Sequence, residues 1–327
     1  MCIVKKWLKI TLVLTGLLQI SQAAYLRCYN GSIDNYVVTP LSNPLAILPC
    51  INTEIPTVVY TFGYRGKVDG PATTGMLNAY IAKKKRNVIL LDWQNEAQTG
   101  ILGVELSYAL SAAPSAIKVG KELGAALIRL IQAGVHLEDI HLIAHSLGAH
   151  LMGYTGRAMR RKDFLLERIT GLDPAQPLFD GRLAIYSALD RKCARFVDII
   201  HTDPNGFGTS SSTGTVDIWP NYTGRSGTQP GCPVGNFKEF SPEQLCSHDR
   251  SWRYYAESLA SPTAFSATGA TNYDEWVAND GKSNQTIYLG DLTNTNAKGN
   301  FYLMTNSQSL YGRGVNGTTS NNNQTRR

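Results

Sequence analysis

The chain is 327 residues long, 43% hydrophobic and 17% charged, with a formal charge of +6. This is an ordinary globular composition, long enough for one large core or two smaller ones. Lys5, Lys6 and Lys9 account for half of the excess charge; without them it is +3, and no Lys/Arg block carries interleaved aromatics, which argues against nucleic acid as a partner.

In chain order, a basic start is followed by an apolar run over residues 10–20, interrupted only by Thr11, Thr15 and Gln19, and then by Ser21, Gln22, Ala23 and Ala24. A basic end, a short apolar stretch and small residues at a cut site predict a signal peptide over residues 1–23, cleaved after Ala23 or Ala24, and hence a secreted protein. The run is too short to span a bilayer comfortably. Buried strands are predicted at 57–62, 87–93, 140–144, 168–172 and 196–201, with a further strand at 215–219. Helices are predicted at 73–82, at 115–133 with Gly134 as the stop, at 149–159 and at 250–258. Unbroken apolar strands alternating with helices predict an α/β protein whose sheet is covered on both faces. Residues 204–236 read as loop, 262–310 as short irregular elements of the same domain, and 318–327 as a disordered polar tail, leaving one catalytic domain over 24–317. Asn30, Asn221, Asn284 and Asn316 stand in glycan acceptor sequons. Cys2 leaves with the leader, so Cys28, Cys50, Cys193, Cys232 and Cys246 make an odd set for an exported chain, and one thiol should be free or paired between chains.

Residues 143–149 read Ile-Ala-His-Ser-Leu-Gly-Ala, with the small Ala144 and Gly148 two positions either side of Ser146. A sharp strand-to-helix turn lifts a serine above a sheet and leaves little room beside it, so Ser146 is the predicted nucleophile. Alanine at 144, where the pattern usually has glycine, tolerates an unusual backbone less well. A nucleophilic serine needs a base and the base an orienting acid, which in this architecture follow in the order acid, then histidine. Asp173, ending the 168–172 strand, is the candidate acid; a turn aspartate beside Pro174 is the alternative. Of the histidines, His136 and His141 flank the strand before Ser146, His145 should turn its side chain elsewhere, His150 falls in the next helix and His201 reads as core. His248, in an expected loop after Cys246, is the best base by chain order. The oxyanion would be received by the backbone N–H of Leu147 and by that of Tyr64, after Gly63.

The segments 62–64 (FGY), 88–93 (VILLDW), 140–150 (IHLIAHSLGAH), 170–177 (TGLDPAQP), 196–203 (FVDIIHTD) and 246–251 (CSHDRS) resemble the pancreatic-type lipase family of animals, in its arthropod branch, over about residues 55–315. The resemblance implies an α/β-hydrolase fold with a central mostly parallel sheet, helices on both faces and a short lid loop. It also implies Ser146, Asp173 and His248 as the triad and the Tyr64 and Leu147 amides as the oxyanion hole. Cys232 and Cys246 match the disulfide that pins the family's lid, here enclosing residues 233–245. So short a lid, with a short loop after residue 203, resembles the phospholipase A1 members, which cleave the sn-1 acyl ester; a triacylglycerol or general neutral lipase is the alternative, and a non-catalytic lipid carrier the remote one. Phe207, Trp219, Phe237 and Phe240 are candidates for a lipid-facing rim. The chain departs from the family at Phe62, where a histidine is usual, and at Cys193 and Ala188, where an acidic calcium ligand and an arginine are expected; these predict no bound calcium and no cofactor. The family's second, lipid-binding sandwich domain has no counterpart here, which predicts no colipase-like partner. Cys28 and Cys50 could pair, but any of Cys28, Cys50 and Cys193 could be the odd thiol.

Overall fold

The computed structural model describes residues 24–224 and 228–320; the leader and residues 321–327 lie outside the described residues. Its strands are β1 (Tyr25–Tyr29), β2 (Tyr36–Pro40), β3 (Thr57–Thr61), β4 (Asn87–Asp92), β5 (Ile140–His145), β6 (Arg168–Leu172), β7 (Phe196–Ile200), β8 (Val216–Pro220), β9 (Ser266–Ala270), β10 (Thr286–Tyr288) and β11 (Gly299–Leu303). They form an 11-stranded sheet in the order β10-β9-β11-β8-β7-β6-β5-β3-β4-β1-β2. From β4 to β11 every neighbouring pair is parallel, and the edge strands are antiparallel. Every residue of β3 to β8 is buried, as unbroken apolar strands covered on both faces require.

Right-handed crossovers fix where the helices go. The chain moves from β3 to β4 through the helix Pro71–Lys83, then back past β3 to β5 through the helix Ala113–Gln132. The direction reverses, so these two helices fall on opposite faces. The helix Leu147–Arg160, linking β5 to β6, continues in the second direction and packs against Ala113–Gln132. The helix Cys246–Ala260 packs against Pro71–Lys83. The Ala113–Gln132 helix turns Ala116, Val119, Leu123, Ala126, Leu127 and Leu130 inward, the stripe of an amphipathic helix. The result is an α/β-hydrolase fold.

The predicted central strands and helices are present, with ends displaced by up to four residues. Three regions differ from expectation. β1 and β2 extend the sheet beyond β4, although their short sequences carry no clear alternation. The 262–310 region contributes β9, β10 and β11, and β11 joins the parallel sheet beside β8; nonlocal pairing decides this, not local propensity. Of the expected polar tail, residues 318–320 are described, and Ser320 is buried with its hydroxyl on the Val277 carbonyl. Cys28 bonds to Cys50 and Cys232 to Cys246, which leaves Cys193 as the odd thiol, buried and free.

One buried ion pair ties β6 to β7. Arg168 donates to both oxygens of Asp198 at 3.0 and 2.7 Å and to the Gly290 carbonyl at 2.8 Å, while Thr170 Oγ1 donates to Asp198 Oδ1. Asp198→Ala would leave the guanidinium without its counter-charge. It should destabilise the domain by about 3–5 kcal/mol, read from chemical denaturation. A loss under about 1 kcal/mol would mean that Arg168 finds water or another acceptor.

Candidate active site

The order of the strands assembles the site. β3 lies between β4 and β5, so connections leave in opposite directions at its carboxyl end and open a crevice there. Thr61 at the end of β3 pairs with Ala144, His145 at the end of β5 with Leu172, and Leu172 at the end of β6 with Ile200. The segments that follow these ends, 62–66, 146–148, 173–175 and 201–203, therefore stand side by side along one sheet edge.

Ser146 occupies the turn between β5 and the helix Leu147–Arg160 with φ 57° and ψ −128°, a conformation costing a non-glycine residue about 1–3 kcal/mol. Its N–H donates to the Leu172 carbonyl at 2.9 Å, which holds the turn to β6. Within this turn the strain falls on Ser146. Ala144 is an ordinary buried residue of β5, so alanine in place of glycine there carries no backbone penalty. A Cβ on Gly63 would fall 2.6 Å from the Ser146 Cβ, so the loop after β3 passes too close to the serine for any side chain. Phe62 is buried; its ring stacks on Trp93 and its carbonyl accepts the Trp93 indole N–H at 2.9 Å, which anchors the loop without the family's usual histidine. Leu147 is the first residue of its helix, where backbone N–H groups lack intrahelical acceptors. Gly63, Tyr64, Ser146 and His248 all line one cavity of about 600 Å³.

His248 lies on the first turn of the helix Cys246–Ala260, not in the expected loop. The helix starts at the disulfide and buries His248, Ser251, Trp252 and Tyr255 at helical spacing; polar residues at its start hid that pattern. His248 Nδ1 is 2.6 Å from Asp173 Oδ2. Asp173 is fully buried, and its other oxygen accepts the N–H groups of Thr202 at 2.7 Å and Asp203 at 3.0 Å, which fixes the carboxylate's orientation. A Cβ on Gly208 would meet that carboxylate at 2.5 Å, so only glycine fits opposite it. Burial opposes a charge on His248, but the Asp173 hydrogen bond and charge, with Asp203 and Asp249, hold its pKa above the ordinary histidine value.

Two residues join the site without having been singled out for it. His145 was expected to turn elsewhere; instead its ring centre is 4.5 Å from that of His248, and its Nε2 faces the His248 carbonyl at 3.3 Å. The same carbonyl accepts Ser251 Oγ at 2.8 Å and Thr202 Oγ1 at 3.3 Å, so His248 is held from behind. Burial and the neighbouring His248 lower the His145 pKa well below the ordinary value, which keeps it neutral. Asp203 ends the segment after β7 as Asp173 ends β6, and that parallel position was its sequence signal. Burial and the Asp173 charge push its carboxyl up to about 6, while Phe207 N–H donates to it. Asp173, Asp203 and His248 form the one cluster of three possible metal-binding side chains among the described residues. The close atoms of Asp173 and His248 are committed to one another, which is the arrangement of an acid–base pair. His201 is core as expected, between Thr209 O and Asp217 and stacked on Trp219.

A family model described as Lipase matches residues 46–311. The chain belongs to the lipase family. It is 29% identical to the pancreatic triacylglycerol lipase of Myocastor coypus over 78% of this chain and 56% of that protein. It is 33% identical to lipase member H-B of Xenopus laevis over 75% and 48%, and 35% identical to pancreatic lipase-related protein 2 of Rattus norvegicus over 60% and 42%. The chain thus spans about half the length of these relatives.

In this lipase-family chain the loop between Cys232 and Cys246 reaches the cavity through Phe240, whose ring meets Tyr64 at 5.7 Å and Phe207 at 5.4 Å. Phe207 in turn lies 5.5 Å from the His248 ring. Of the four aromatic residues expected at a lipid-facing rim, Phe207 and Phe240 line the cavity and Phe237 does not. Trp219 is buried in a second cluster with Trp276 and Tyr302, so it cannot face lipid. The exposed apolar side chains Ile101, Leu102, Leu106 and Leu110 flank the cavity-lining Val104, Tyr108 and Ala109 in the chain. The packing argues against a glycan at Asn221, one of the four expected acceptors. Asn221 is buried, and its Nδ2 donates to Gln229 Oε1 at 2.7 Å and Thr305 Oγ1 at 2.9 Å, so the nitrogen that would carry a glycan is enclosed. Glycopeptide mapping of the protein expressed through a glycosylating export pathway should find Asn221 unoccupied; a glycan there would contradict this packing. Asn30, Asn284 and Asn316 are exposed.

Proposed function

We propose that this chain is a secreted serine hydrolase of lipid esters, acting as a phospholipase A1. The observation that carries the reading is the 2.6 Å contact between His248 Nδ1 and Asp173 Oδ2 beside the strained Ser146, all at the sheet's crevice. His248 removes the Ser146 proton as the serine attacks the ester carbonyl, and Asp173 orients the imidazole and favours its charged form. The oxyanion is received by the N–H groups of Tyr64 and Leu147. His248 protonates the departing alkoxide, and water activated by the same imidazole hydrolyses the acyl-enzyme.

The phospholipid preference rests on the lid. Its disulfide joins residues only 14 apart in sequence, and a short lid leaves room for a bulky head group. The alternative, a triacylglycerol lipase, is favoured by the names of the pancreatic relatives. The test presents phosphatidylcholine and triacylglycerol in matched micelles and identifies products by mass. Fatty acid with 2-acyl lysophospholipid and little glyceride turnover is expected. Fast glyceride hydrolysis with inert phospholipid would establish the alternative.

A further inference from the structure

The loop that carries Tyr64 continues into two cations for which the chemistry above has no use. Arg65 and Lys67 both line the cavity and both are exposed. Arg65 takes φ 60°, a left-handed conformation unfavourable for a residue with a Cβ, and its amide is fixed to the Ala97 carbonyl at 2.7 Å. Its guanidinium stands 4.9 Å from the centre of the Phe240 ring, at the cavity. Arg27, Arg86, Arg157, Arg168 and Arg195 each pair with a carboxylate; among the described residues Arg65 and Lys67 do not. Three carboxylates from other elements line the same cavity: Asp249 faces His145, whereas Glu239 from the lid and Glu105 from the helical turn Val104–Ser107 are exposed and outside any ion pair among the described residues.

We propose that these side chains form a binding site for the zwitterionic head group of a glycerophospholipid, with the phosphate on Arg65 and Lys67 and the ammonium beside Glu239 and Glu105. The inference rests on the reading of Ser146 as nucleophile and of phospholipid as substrate. Consecutive Cα atoms are about 3.8 Å apart, so the Arg65 backbone is one peptide step from the Tyr64 amide at the reacting carbonyl. The phosphate of a phospholipid is joined to its sn-1 ester through the glycerol backbone, which places it within reach of a side chain rooted there. A guanidinium offers phosphate two parallel donors, and Lys67 adds a point charge. A triacylglycerol would put an acyl chain at the same place, where it satisfies none of the four charges and displaces their water.

The test compares kcat/KM for phosphatidylcholine, phosphatidic acid and a diacylglycerol of the same acyl chains in matched mixed micelles. Arg65→Gln should lower the phosphatidylcholine-to-diacylglycerol ratio about tenfold, the scale of one charge-assisted hydrogen bond, and Arg65→Lys should restore part of it. Glu239→Gln should lower phosphatidylcholine relative to phosphatidic acid, which lacks the ammonium. Arg65 also touches the lid through Phe240; if that is its whole role, both substrates fall together, the ratio does not move and the head-group site is overturned. Wild-type enzyme that cleaves diacylglycerol but not phosphatidylcholine overturns the phospholipid reading and this inference together. Phosphatidylcholine cleavage with unmoved ratios in Arg65→Gln and Lys67→Gln overturns the inference alone.

Discussion

Ser146→Ala should lower ester turnover by roughly 10⁴-fold or more and leave the fold intact. The substitution removes one oxygen from a half-buried side chain and keeps the Cβ that the strained turn already accommodates. Stability should therefore change by less than about 1 kcal/mol, because alanine and serine meet the same backbone penalty at φ 57°. The measurement is hydrolysis of a short-chain ester by wild type and variant, with thermal melts of both and covalent labelling by a fluorophosphonate. The wild type should label and the variant should not. Turnover retained within tenfold by a folded variant would remove Ser146 from the mechanism and with it the hydrolase reading.

The second large effect concerns the acid. With Asp173→Asn, His248 loses the carboxylate that holds its Nδ1 at 2.6 Å, and the amide can present its NH₂ in its place, favouring the wrong tautomer. Turnover at neutral pH should fall by about 10⁴-fold. The pH profile separates this from general damage. Burial opposes the imidazolium, and the Asp173 hydrogen bond and charge lead the contributions that raise the His248 pKa above its ordinary value. The base acts only when neutral, so wild-type kcat/KM should climb with pH through a pKa above 6.5. Removing the carboxylate lowers that pKa, so the residual activity of the variant should rise at lower pH than that of the wild type. Asp203 and Asp249 remain near the imidazole, which limits the displacement. An unchanged plateau would strip Asp173 of its role. A lowered plateau with an unshifted limb would mean that His248 is not the group titrating.

Short-range pattern made much of the fold and of the candidate site legible. Buried parallel strands are nearly continuous apolar runs, so β3 to β7 stand out from their neighbours without any partner being known. Ser146 stands out because a tight strand-to-helix turn demands small residues around it, and Asp173 because it closes the following strand. The helix start at Cys246 was hidden, since its first residues are polar and its buried face includes serines and a histidine. β1 and β11 were hidden because they join the sheet through β4 and β8, far off in the chain, and β2, which pairs only with β1, because its short sequence carries no clear alternation.

By itself the sequence determined the order of elements, the alternation that makes an α/β sheet and the residue types able to perform acyl transfer. These follow from local periodicity and from chemistry that resides in single side chains. Which cysteine stays free, that Asn221 is enclosed, that His145 and Arg65 border the cavity and that Asp203 lies beside Asp173 and His248 were decided only by tertiary structure. The reason is common to them all. Each depends on distances between residues tens of positions apart, and those are set by strand order and helix packing, which no short stretch of chain encodes.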